Sequence, residues 1–85
     1  MIKILDFYAD WCGPCRMMNP IVEELKQEHP EVEFWKIDVE ANQDVAIAHN
    51  IQSIPTFLFY KDEVLVKRMT GFIPKYKIKD ILQNL

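Results

Sequence analysis

Glycine and cysteine are scarce in this chain of 85 residues, with two of each, and no apolar run approaches the length that a membrane-spanning helix needs. Positive charge is not in excess either: ten Lys and Arg face thirteen Asp and Glu, for a net charge of −3. A chain of that balance has no general attraction for phosphate backbones, so nucleic acid is not expected as a direct partner, nor is a membrane. Lys67, Arg68, Lys75, Lys77 and Lys79 read as a solvated face. No cleavage-site pattern follows Met1, which leads almost at once into a strand-like segment, and the expected location is the cytoplasm. Linkers, repeats and low-complexity segments are also missing, so residues 1–85 are expected to form one domain and to act as a monomer. A domain this small has no room for a separate substrate domain, and any substrate must dock on its surface.

What is present is concentrated. Both cysteines fall in Trp11-Cys12-Gly13-Pro14-Cys15. At the mouth of a helix the first would meet unpaired backbone N–H groups and the positive end of the helix dipole, which favour its thiolate. The second, one turn on, could displace the first from a mixed disulfide. A purely structural disulfide here would close a tiny loop worth about 2 kcal/mol. Structural zinc would need four ligands, and His29 and His49, the remaining candidates, lack zinc-finger spacing. Redox chemistry is the reading the spacing favours. With Trp before it and Gly-Pro inside it, the pentapeptide resembles the active site of the thioredoxin family. In a reducing compartment such a pair would rest mostly as the dithiol.

The rest of the chain supports the resemblance. Ile2–Tyr8 reads as a buried strand interrupted by Asp6, either a costly buried carboxylate with a raised pKa or an acid at a solvent-facing edge. From Gly13 to about His29 the residues Met18, Ile21, Val22 and Leu25 mark one helical face, with Pro14 in the first turn and Pro20 expected to kink the helix. Met17 and Met18 read as core or site-rim packing, and His29 as a cation at the helix end. Val32–Val39 reads as a strand parallel to the first. A short helix from about Asn42 to Asn50 is expected, with Asn42 as its cap, Val45, Ile47 and Ala48 as its apolar content and His49 solvated. Pro55 opens the strand Thr56–Tyr60, and Lys61-Asp62-Glu63 turns it into Val64–Met69. From Pro74 a last helix carries Ile78, Ile81, Leu82 and Leu85 on one face.

That order, β-α-β-α-β-β-α, implies an α/β chain with the minimal thioredoxin fold, a four-stranded mixed sheet with helices on both faces. The resemblance also implies roles. Cys12 attacks and Cys15 resolves. Asp6 accepts the Cys15 proton, and Lys36 modulates Asp6, unless Lys36 is an ordinary outward strand residue. Ile54–Pro55 is implied to be cis, leaving the Ile54 backbone free to pair with an extended substrate. Gly71 lets substrate backbone approach, or else simply ends a strand, with Phe72 as a possible apolar rim; Trp11, Gly13, Pro14, Ile54, Pro55 and Gly71 then shape a docking groove. No bound cofactor is implied beyond the Cys12–Cys15 disulfide, with electrons from a thioredoxin reductase or equivalent donor and protein disulfides as substrates. The chain departs from the family in its hairpin turn without glycine, in Tyr8 where tryptophan is common, and in lacking an N-terminal strand and helix, which is expected to expose the neighbour of the first strand. A disulfide isomerase or oxidase, and an accessory subunit whose thiols are incidental, are the alternatives. Gly13-Pro14 and the expected lack of a leader speak against the isomerase or oxidase.

Overall fold

The computed structural model describes all residues, 1–85, and its elements follow the order expected: β1 (Ile2–Tyr8), α1 (Gly13–Glu28), β2 (Glu33–Asp38), α2 (Gln43–Ala48), β3 (Thr56–Lys61), β4 (Val64–Thr70) and α3 (Lys75–Gln83). The sheet runs β2-β1-β3-β4, with β1 parallel to β2 and the other pairs antiparallel. Alternation along β1 sends Ile4 and Asp6 to one side and Leu5 and Phe7 to the other. On the first side Ile4, Phe57 and Phe59 meet Met18, Val22 and Leu25 of α1 and Ile78 and Leu82 of α3, which forms the larger core. Burying each of these side chains stabilises the fold by roughly 1.5–3 kcal/mol. On the second side Leu5, Phe7 and Leu58 pack with Ile37 and Ile51. No helix is long and apolar enough to cross a membrane.

α1 continues through Pro20, and its stripe of Met18, Val22 and Leu25 is buried as the three- and four-residue spacing requires. His29 takes the C-cap, where its N–H donates to the Leu25 carbonyl and its ring lies against Glu31.

α2 departs from expectation. It spans Gln43–Ala48, and Ala46 is its only buried residue, while Val45, Ile47 and Ala48 are exposed. Asn42 holds the N-cap position without capping: its side-chain amide turns back to the Asp38 carbonyl at 3.1 Å. His49 is half-buried. Its ring sits 5.4 Å from that of Phe7, covering part of the sheet's second side. A helix of six residues cannot hold itself together in water. Arg68 of β4 supplies what is missing by donating to the carbonyls of His49 (2.7 Å) and Asn50 (3.4 Å).

The basic residues do not form one free face. Lys67 and Arg68 belong to β4, and on α3 Lys75 bonds Glu24 and Glu28 while Lys79 bonds Glu28 at 2.8 Å, clamping α3 to α1. The hairpin turn has two residues, Asp62 and Glu63, both left-handed (φ 51° and 70°), a geometry that needs positive φ but here lacks glycine. The Met1 ammonium, 2.6 Å from the Asp62 carboxylate, closes the turn onto the start of β1. β2 and β4 are the sheet's edges; Trp35 on β2 and Val64, Leu65 and Val66 on β4 are exposed.

Candidate active site

Cys12 leaves the loop after β1 in an extended conformation (φ −81°, ψ 113°) and serves as the N-cap of α1. Pro14 falls in the first turn, where a missing N–H does no harm. The Cys15 amide donates to Cys12 Sγ at 3.2 Å, so one of the helix's orphan N–H groups points at the sulfur. The same donor would stabilise a thiolate there. The two cysteines are joined in a disulfide, with Cα atoms 5.2 Å apart, and both are almost wholly buried in a collar of Ala9, Tyr8, Val39 and Ile54. Cys12 Sγ lies 3.9 Å from the Ile54 carbonyl. In the disulfide the sulfur has no proton to donate, so that contact becomes a hydrogen bond only in the dithiol.

Asp6 is buried on the side of β1 that α1 and α3 cover, with Lys36 and Phe57 as its register partners in β2 and β3. This settles the choice between edge and interior. Burial pushes its carboxyl from 3.8 up to about 6, against the pull of Lys36 and, less strongly, Lys26. At neutral pH such a group is mostly ionised yet still a competent base. Lys36 forms no ion pair with it. Its ammonium donates to Asn19 Oδ1 at 2.8 Å and lies 4.5 Å from the centre of the Tyr8 ring. Lys36 is thus exposed, yet its ammonium has partners on β1 and α1.

Across the mouth of the site the Ile54–Pro55 peptide is cis. The N–H and C=O of Ile54 take part in no backbone hydrogen bond. Gly71 has φ 82° and donates its N–H to the Pro55 carbonyl at 2.8 Å. A Cβ at Gly71 would meet nothing within 4 Å, and the same holds at Gly13, so the space above both is open. Phe72 and Trp11 are exposed beside these backbones, and the Trp11 indole N–H is held by Glu40 Oε2 at 3.0 Å. Val39, in contact with the cysteine cluster, completes the apolar rim.

Sequence reasoning missed Glu40 and Asn19. Nothing near Glu40 marks it, since its partner lies 29 positions away. Asn19 did carry a signal: it lies four residues after Cys15, hence on the same face of α1. His29 and His49 are engaged with Glu31 and Phe7, and no group of three His, Cys, Asp or Glu side chains is placed to hold a metal ion.

Known proteins agree with this geometry. The family model described as Thioredoxin matches residues 1–84. Thioredoxin of Bacillus subtilis is 42% identical over 84 residues, covering 98% of this chain and 81% of its own. That of Mycoplasmoides gallisepticum is 40% identical over 80 residues, 94% of this chain and 80% of its own. Among solved structures, a mutant thioredoxin from Halobacterium salinarum superposes with a TM-score of 0.92 at 36% identity, covering 98% of this chain and 73% of that one. The family carries electrons in its cysteine pair and on no prosthetic group. With that pair present as a disulfide at the mouth of α1, the chain is a thiol–disulfide oxidoreductase acting on protein disulfides, and it belongs to the thioredoxin family.

Proposed function

We propose that Cys12 is the attacking thiol and Cys15 the resolving one in the reduction of protein disulfides. The observation that carries the assignment is the Cys15 amide donated to Cys12 Sγ at the N-cap, since only the first sulfur sits where the helix terminus favours negative charge. The Cys12 thiolate attacks one sulfur of the substrate disulfide, which breaks that bond, forms a mixed disulfide and releases the other substrate sulfur as a thiolate. Cys15 then gives its proton to Asp6 and attacks Cys12 Sγ. The second substrate thiol leaves, and two electrons have passed from the pair to the substrate. An external dithiol donor, a thioredoxin reductase or its equivalent, restores the pair.

Lys36 tunes Asp6 as its nearest cation by register. Trp11, Gly13, Pro14, Ile54, Pro55 and Gly71 form the docking groove: the unpaired Ile54 backbone accepts an extended substrate strand, and the open space over Gly13 and Gly71 admits its main chain. We take residues 1–85 to be one domain, acting as a monomer in the cytoplasm.

The test is disulfide trapping. Cys15→Ser should accumulate a mixed disulfide with insulin, seen as a shifted band on non-reducing gels, whereas Cys12→Ser should form none and show no turnover. Trapping by Cys12→Ser would reverse the two roles.

A further inference from the structure

Beside Cys15, a small, mainly polar cavity of about 90 Å³ is lined by Tyr8, Asn19 and Lys36, with Asp10 and Arg16 as its other charged residues. Lys36 reaches it from β2 on a long, flexible stem, and a lysine so exposed would ordinarily spend its time in solvent. Here the ammonium is fixed at two points. Asn19 Oδ1 accepts from it at 2.8 Å, and the face of the Tyr8 ring lies 4.5 Å away. Neither partner carries negative charge at neutral pH. That matters because a carboxylate in place of Asn19 would hold Lys36 as firmly but cancel its field at Asp6. A neutral amide fixes the cation and leaves its charge effective.

We infer that Asn19 is a positioning residue for the exchange reaction: its amide oxygen, with the Tyr8 ring, keeps the Lys36 ammonium at the cavity lined by Cys15, where it acts on Asp6. The inference rests on the reading of Asp6 as proton acceptor and adds to it the residue that sets its cationic neighbour. The charged and titratable groups facing Asp6 are few. β2 contributes Lys36, α1 contributes Lys26 and β1 contributes Tyr8; the β3 partner, Phe57, is apolar. Lys36 is the stronger of the two cations, and Asn19 is the only side chain hydrogen-bonded to it.

The experiment is a carbon-13 NMR titration of the Asp6 carboxyl in the full chain, alongside the pH profile of insulin-disulfide reduction. Wild type is compared with Asn19→Ala, Asn19→Asp, Lys36→Met and the double variant Asn19→Ala/Lys36→Met. Asn19 is exposed on α1 and alanine favours helix, so the fold should be kept. Asn19→Ala should raise the Asp6 pKa by roughly half a unit and move the profile with it, and Asn19→Asp should raise it too. In the Lys36→Met background Asn19→Ala should add nothing, because its effect passes through the lysine. An unchanged Asp6 titration in Asn19→Ala, or a shift that persists without Lys36, would overturn the inference. The underlying reading fails separately: if Asp6→Asn retains the wild-type pH profile, Asp6 is not the proton acceptor, whatever the carboxyl titration reports about Asn19.

Discussion

Replacing Asp6 with asparagine keeps the side chain's shape and removes the group that burial holds at a pKa of about 6 against 3.8 in the unfolded chain. The folded state binds this proton more tightly, so Asp6 costs nothing well below pH 4, and stability falls as pH rises from about 4 to 6. Above pH 6 the full penalty, about 3 kcal/mol at most, is in place. Asp6→Asn should therefore stabilise the protein by up to that amount at pH 7 and have little effect at pH 3, as urea midpoints will report. Disulfide reduction by the variant should be slower at neutral pH. The two glycines offer a second contrast at the same scale. Gly71→Ala forces a side chain into a left-handed conformation and should cost about 1 kcal/mol, whereas Gly13→Ala, in the first turn of α1 with open space around it, should be neutral or mildly stabilising. Thermal melts of the two variants decide it, and equal melting temperatures would contradict the backbone argument.

Among the elements, the β3–β4 hairpin is held by a turn that its sequence does not suit. Asp62 gains the Met1 ammonium in return for its left-handed backbone, while Glu63 has only a 3.5 Å contact with Lys3 at the surface, which is worth little. Glu63→Gly should thus stabilise by about 0.5–1 kcal/mol, measured by urea denaturation, and a loss would show that the Lys3 contact outweighs the strain. The turn's position was legible in Lys61-Asp62-Glu63, but its type was not, because the compensation comes from residue 1. The same division runs through the fold. β1 and β3 are apolar runs and α1 and α3 have apolar periods of three and four, and both are local properties of sequence. α2 has neither, and its C-terminal end is held by Phe7 and Arg68, far away in the chain. At the site the cysteine pair was legible from spacing, whereas the apolar run around Asp6 left burial and a solvent-facing edge equally open, and only the resemblance favoured burial. The partner of Lys36 was not legible, since the register that aligns it with Asp6 says nothing of the neighbouring helix that diverts its ammonium to Asn19.

For the whole molecule, opposing titrations set where stability peaks. Glu28, bonded by Lys75 and Lys79, is pulled down from 4.5 to about 2, so what it contributes is complete above pH 4.5 and lost as pH falls towards 2. Asp62, held down by the Met1 ammonium, acts in the same direction. Asp6 acts in the opposite one, losing stability as pH rises. The sum should peak near pH 4–5, and urea midpoints from pH 3 to 8 should trace that maximum; in Asp6→Asn the decline above it should flatten. How such curves are recorded is itself constrained by where the tryptophans lie. Trp11 and Trp35 are 64% and 54% exposed in the folded chain, already surrounded by water. Indole emission changes colour when water reaches the ring, so unfolding will barely shift the spectrum of either. The colour of that emission is therefore a poor witness to the loss of the core, and a spectral reporter of folding belongs inside that core, for which the position of Phe59, wholly buried between sheet and helices, is the natural place.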